Sequence, residues 1–156
     1  MTNTVEDRLA EMGLSLPAAS APAGSYVPVV QTGSLLFVSG QLPMGPGGLE
    51  HVGRCGENVS MDMAQDAARL CALNILAQVK VVTGDLEKIN RIVKVNGFVN
   101  STPDFGDHPK VINGASDLFA AALGDKGKHA RAAVGVANLP FGAAVEVEAV
   151  VEIAGA

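Results

Sequence analysis

Near its C-terminus the chain carries Arg131-Ala-Ala-Val-Gly-Val-Ala-Asn-Leu-Pro-Phe-Gly-Ala-Ala-Val-Glu-Val-Glu-Ala-Val-Val-Glu152, and this stretch constrains the fold more than any other. Two short apolar runs flank Asn138-Leu-Pro-Phe-Gly142, whose Pro and Gly predict a turn between two strands, a hydrophobic hairpin. In the second run side chains alternate, so Val145, Val147 and Ala149 face one way and Glu146, Glu148 and Val150 the other. Arg131 stands at the entrance to the first strand, close to His129. On pattern alone this is a solvated strand face with an ordinary arginine, since surface charges are common.

With 156 residues the chain has the length of one domain and can bury a substantial core. It is 48% hydrophobic but only 4% aromatic and lacks Trp, so that core must be close-packed Val, Ala, Leu and Ile. A formal charge of −5 argues against sequence-independent nucleic-acid binding, which needs a basic stripe. The polar, acidic N-terminus shows no leader pattern and no apolar run is long enough to span a bilayer, so no membrane partner and a cytoplasmic location are expected. Cys55 and Cys71 have neither metal spacing nor a disulfide framework; Cys71 reads as inert core and Cys55 as free to be exposed in a glycine-rich loop.

Thr4 to Met12 predicts a short amphipathic helix, capped by Thr4 with Asp7 three residues on and ended by Gly13. A Pro/Ala/Ser linker leads to strands over Tyr26–Thr32 and Leu35–Ser39, the first demoted by Pro28 to an edge. The lone glycines after Pro43 lack the Lys and Ser/Thr of a phosphate loop. Ser60 caps a long helix to about Val82, with Ala64, Ala67, Ala68, Cys71, Ile75, Val79 and Val82 on its buried face and Leu73 on the exposed one. A buried strand over Ile89–Val99, a turn at Ser101–Gly106 and a helix from Lys110 or Val111 to Leu123 follow. Helices alternating with strands predict α+β: one mixed sheet with two long helices packed on one face. The opposite sheet face then needs a cover, and self-association supplies one.

No nucleophile elbow, HExxH or paired Cys and His occurs, and His51, His108 and His129 fall in predicted loops, as surface residues usually do. Nothing calls for a metal or organic cofactor. Several short motifs nevertheless occur in a telling order: Gly24-Ser-Tyr26, Phe37-Val-Ser-Gly-Gln-Leu-Pro43, Asn113 within Val111-Ile-Asn-Gly114, then Arg131-x-x-Val-x-Val-x-x-Leu-Pro140 and Val145-Glu-Val-Glu-Ala-Val150. From Gly24 onward the chain resembles the RidA (YjgF-like) family, some relatives of which carry the endoribonuclease L-PSP description.

The resemblance implies a chorismate-mutase-like fold that assembles as a trimeric barrel, with pockets in the clefts between subunits. It implies hydrolysis of reactive 2-imino or enamino acids to 2-oxo acids and ammonia, without a cofactor. Arg131 falls where the family binds the substrate carboxylate, and Glu146 where it activates water. Ser39, Gly40 and Asn113 are implied polar contacts, with Tyr26 and Phe98 closing the pocket. Ala133 stands where deaminase members often carry cysteine, which implies an altered pocket shape. Residues 1–23, a helix and a linker, extend the chain relative to short members of a single-domain family. Two other readings stay open: a trimeric, non-catalytic binder of small carboxylates, and an Arg131–Glu146 pair that merely holds subunits together. Endoribonuclease activity fits poorly with the acidic charge and few aromatics.

Overall fold

The computed structural model describes residues 3–155. Helix α1 (Val5–Glu11) begins with a reciprocal cap: the Asp7 amide donates to the Thr4 hydroxyl at 3.1 Å, and the Thr4 amide to the Asp7 carboxylate at 3.0 Å. Strands β1 (Val29–Thr32) and β2 (Leu35–Gln41) form a hairpin, followed by a small ribbon of β3 (Met44–Gly45) and β4 (Gly48–Leu49). The long helix α2 (Met61–Thr83) leads to β5 (Ile89–Asn100), α3 (His108–Leu123), β6 (Ala130–Val136) and β7 (Val145–Ile153).

The five long strands make one sheet in the order β1-β2-β7-β5-β6. β6 runs parallel to β5, and β7 lies antiparallel between β2 and β5. The predicted hairpin of the C-terminal stretch is therefore corrected: its two strands are not neighbours. A parallel β5–β6 pair needs a crossover, which α3 supplies. α2 carries the chain from β2 to β5 and leaves a gap one strand wide, which β7 fills. β7 suits that central place because Val145, Val147, Ala149, Val151 and Ile153 are all buried on one face. β6, richer in small residues, remains at the edge, as does β1 after Pro28. Strand β1 starts only at Val29, so Tyr26 and Val27 precede it instead of forming part of it.

Both long helices pack on the same side of the sheet. Ser60 caps α2 by accepting from the Met63 amide at 3.2 Å, and Gly84 ends it with φ 73°, a left-handed conformation that glycine adopts freely. Small residues let the helices approach closely; a methyl group at Gly114 of α3 would run into the Gln65 carbonyl of α2. Leu73 is buried, not exposed as its place on the helical wheel predicts, because α2 is buried all round from Cys71 to Val79. The linker and the β3–β4 ribbon roof its outer side, where Gln78 donates to the Ser20 carbonyl at 2.8 Å and Asn74 to that of Met44 at 2.9 Å. Beyond this roof Val82 is 42% exposed, a correction to its predicted burial. Cys55 is also buried, contrary to expectation, because its amide and carbonyl pair with Asn100 and Thr102 beneath the loop. Burial raises the pKa of both thiols, that of Cys71 far more, with repulsion from Glu146 adding to it.

Among the described residues no helix covers the other sheet face. Val30 of β1, Phe37 of β2 and Val134 of β6 are 52%, 45% and 46% exposed there, around the partly buried Phe98 and Val150.

Candidate functional site

Sheet register sorts the predicted site residues into two groups. Arg131 pairs with Val95 of β5, and Val95 with Ala149 of β7, both buried under the helices. Side chains in one such row share a face, so Arg131 projects toward α3. Ala133, in register with Gly97 and two residues on, shares that face and packs against the core. Glu146 instead pairs with Phe98, and Phe98 with the exposed Val134. Its carboxylate lies on the open face. The chain thus holds its arginine and its glutamate on opposite sides of the same sheet.

Around the arginine, α3 supplies three acceptors. One terminal nitrogen, Nη1, donates to Asn113 Oδ1 at 2.8 Å and to Ser116 Oγ at 3.1 Å; the other, Nη2, donates to the Pro109 carbonyl at 3.3 Å. Asn113, expected as a ligand contact, spends its oxygen on the arginine. Ser116 Oγ also lies 2.8 Å from His129 Nε2, while His129 Nδ1 lies 2.6 Å from the Gly127 carbonyl. Sequence reasoning passed over Ser116 and treated His129 as a surface residue. A signal for each was present: Ser116 follows Asn113 by three residues on a helix, and His129 precedes Arg131 by two as the chain enters a strand.

The glutamate belongs to a second group. Glu148, two residues on, shares its face and accepts from the Asn96 amide at 3.4 Å. Burial, and then repulsion from Glu148, push the Glu146 carboxyl above its ordinary range. Gly40 lies directly against that carboxylate; a methyl group there would collide with it. The sheet register slips between Val38 and Gln41, and this irregularity brings the Gly40 backbone to Glu146. Ser39 fastens the preceding segment to β2: its hydroxyl donates to the Val27 carbonyl at 2.8 Å, and its amide to that of Pro28 at 2.9 Å. Tyr26 is thereby held beside Gly40. Both line an apolar cavity of about 360 Å³, with Leu42, Met44 and Phe141. The Tyr26 hydroxyl accepts from the Ala23 amide at 3.2 Å, and the side chain is 50% exposed. Phe141 is 71% exposed and stands in a left-handed conformation (φ 59°), which presents its ring at the cavity mouth.

Chemically, the first group is a hydrogen-bonded guanidinium of the kind that can pair with an anion, and the second a carboxylate with raised proton affinity near an apolar recess. Among the described residues no group of three His, Cys, Asp or Glu side chains is arranged to hold a metal ion.

The model of the YjgF/chorismate mutase-like, putative endoribonuclease family matches residues 6–153. The chain belongs to the YjgF/RidA family. Its mixed α+β fold is the YjgF/chorismate-mutase-like one. It is 49% identical over 150 residues to protein TCP17 of Trypanosoma cruzi, covering 96% of this chain and 94% of that protein. Against a 2-iminobutanoate/2-iminopropanoate deaminase of the mite Dermatophagoides farinae the identity is 33% over 140 residues, covering 90% and 94%. Among solved structures, the Agrobacterium tumefaciens protein Atu1372, described as of unknown function, superposes with a TM-score of 0.90 at 53% identity, covering 97% and 92% of the two chains. The YjgF/RidA match includes both site groups and most of α1.

Proposed function

We propose that this protein hydrolyses 2-imino acids, and their enamine tautomers, to 2-oxo acids and ammonia in clefts between the protomers of a homotrimer. The observation that carries the proposal is the placement of Arg131 and Glu146 on opposite faces of one sheet, each equipped for half of such a reaction. A cleft that joins the arginine side of one protomer to the open face of the next completes the site. The exposed Val30, Phe37 and Val134 supply apolar surface for that assembly. The mite deaminase with which this chain shares its fold family supports the substrate class.

In this cleft Arg131 grips the substrate carboxylate through paired N–H donors. The imine carbon is already electrophilic, so the remaining work is to place and activate a water. Glu146 takes a proton from the water as its oxygen bonds to the C=N carbon. That proton passes to the imine nitrogen to give a carbinolamine; Glu146 then takes the hydroxyl proton and returns it to nitrogen as the C–N bond breaks, so ammonia leaves as the carbonyl forms. The raised pKa of Glu146 suits a base that must accept and then return a proton. The apolar cavity beside Gly40 takes the substrate side chain, with Tyr26 and Phe141 at its wall. Phe98, in register with Glu146, lies beside the reacting carbon, while Ser39 keeps this wall in place and Asn113 keeps the arginine in place. Ala133 leaves room beside Arg131.

The test is competition for a freshly generated imine. An amino-acid oxidase releases 2-imino acids in the presence of semicarbazide, and semicarbazone formation is followed with and without the protein. The wild type slows it, whereas Arg131→Ala and Glu146→Gln do not. Unchanged rates with the wild type over a panel of amino acids would overturn the hydrolysis. Binding of 2-oxo acids without turnover would then leave Arg131 as the grip of a carboxylate binder.

A further inference from the structure

We infer that Ser116 and His129 are positioning residues for Arg131: a histidine held in one tautomer directs the serine proton, and the serine in turn fixes the guanidinium. The inference rests on the proposed role of Arg131 for its functional meaning, and on geometry alone for its structural content.

A carbonyl oxygen only accepts. His129 Nδ1, 2.6 Å from the Gly127 carbonyl, must therefore carry a proton. In the neutral ring Nε2 is then the acceptor, and it lies 2.8 Å from Ser116 Oγ. The single serine proton goes to Nε2, which turns an oxygen lone pair toward Arg131 Nη1 at 3.1 Å. With the opposite tautomer the Gly127 carbonyl would face a bare nitrogen, and nothing would fix the direction of the serine proton.

Each end of this relay is anchored. The His129 ring meets the fully buried Phe119 edge-on, with centroids 5.9 Å apart and planes at 84°. Gly127 is itself buried, and a methyl group there would collide with the Phe119 carbonyl, so the acceptor that sets the tautomer sits where only glycine fits. At the other end the donor count is specific. An arginine has five N–H groups. Among the described residues three are engaged, two on Nη1 by Asn113 and Ser116 and one on Nη2 by Pro109. Two remain, one on Nε and one on Nη2. These nitrogens lie in the guanidinium plane, and their donors match the two oxygens of a carboxylate. The Ser116 contact of the relay, with those of Asn113 and Pro109, thus occupies the three donors the ligand does not need. It also removes in advance the rotamer entropy that a long side chain would otherwise lose on binding.

The experiment combines nitrogen NMR with kinetics. In the wild type, His129 shows a protonated Nδ1 and a bare Nε2, and the two terminal nitrogens of Arg131 give separate signals because rotation about the Nε–Cζ bond is hindered. Ser116→Ala, and His129→Phe, which keeps a ring against Phe119, merge the Arg131 signals. They also raise KM for 2-iminobutanoate by about tenfold, the loss of one good hydrogen bond, with the larger part of the loss in KM and not in kcat. Ser116→Thr and His129→Gln, which restore the hydroxyl and an acceptor, recover most of both. A His129 protonated on Nε2 alone, or Arg131 signals that stay separate in both disruptive variants, would overturn the inference whatever the activity. A wild type with the predicted NMR signature and no turnover would sustain the relay and remove only the proposed hydrolysis.

Discussion

The two faces of the sheet solve different problems with the same strands. On the helix-covered face α3 surrounds the Arg131 guanidinium with acceptors from Asn113, Ser116 and Pro109. On the open face Glu146 has a neighbouring carboxylate, a glycine pressed against it, and exposed apolar side chains in the same sheet. The arginine is organised by its own chain. The glutamate is destabilised by burial and by Glu148, and in the proposed trimer its partners come from the next subunit. The difference teaches where each half of the proposed site would draw its precision: hydrogen bonds for the arginine, desolvation for the glutamate.

The largest effect belongs to the covered face. Phe119 is fully buried and carries the His129 ring, so Phe119→Ala is expected to cost about 3–5 kcal/mol, read from urea denaturation, and to loosen Arg131 with it. A cost near zero would mean that α3 does not depend on the core as described. Next comes Arg131→Lys. It keeps the charge but loses the planar fork, and imine hydrolysis is expected to fall about 10- to 100-fold with little change in stability. Equal activity in the lysine variant would show that a point charge suffices.

The third effect probes the open face. Val134→Glu adds a carboxylate to the row that contains Phe98 and Glu146. It is expected to leave the protomer folded and to shift its sedimentation from trimer toward monomer, because like charges would be buried together. A folded trimer with this substitution would place the assembly surface elsewhere.

The smallest effect is electrostatic. Burial and Glu148 raise the pKa of Glu146, so the folded protein holds this proton more tightly than the unfolded chain does. The stability this contributes is fully present below the unfolded pKa and is lost as pH rises through the higher folded value. At neutral pH the ionised carboxylate therefore costs stability, and Glu146→Gln removes the cost. The variant is expected to melt above the wild type at pH 7, with the difference shrinking as pH falls through the carboxylate range. A lower melting temperature at pH 7 would indicate a favourable partner for the ionised form.

Much of this contrast was legible in the sequence, and the part that was not has physical causes. Alternation in Val145–Ile153 told which residues point inward, because a strand buried on one face repeats every two residues. It could not tell which strand lies beside it. Apolar runs on either side of Pro140 and Gly142 read as a hairpin, but pairing depends on where α2 and α3 deliver the chain, a tertiary matter. The same holds for Leu73, which burial by the linker removed from its polar side of the wheel. Family motifs singled out Arg131 and Glu146 but not that they occupy opposite faces, since the odd spacing between them is interrupted by a turn and by a change of strand. Ser116 and His129 carried helical and strand spacings to their partners, yet single polar residues at such spacings are common and earn no weight until geometry unites them.

The central claim is that one site takes its arginine from one protomer and its glutamate from the next. Hybrid trimers test it most directly. Arg131→Ala and Glu146→Gln chains, each inactive alone, are unfolded together in equal amounts, refolded, and assayed for imine hydrolysis. Random assembly places an intact arginine opposite an intact glutamate in about a quarter of the clefts, so activity near a quarter of the wild type is predicted. Folded, mixed trimers with no more activity than either parent would contradict a shared site.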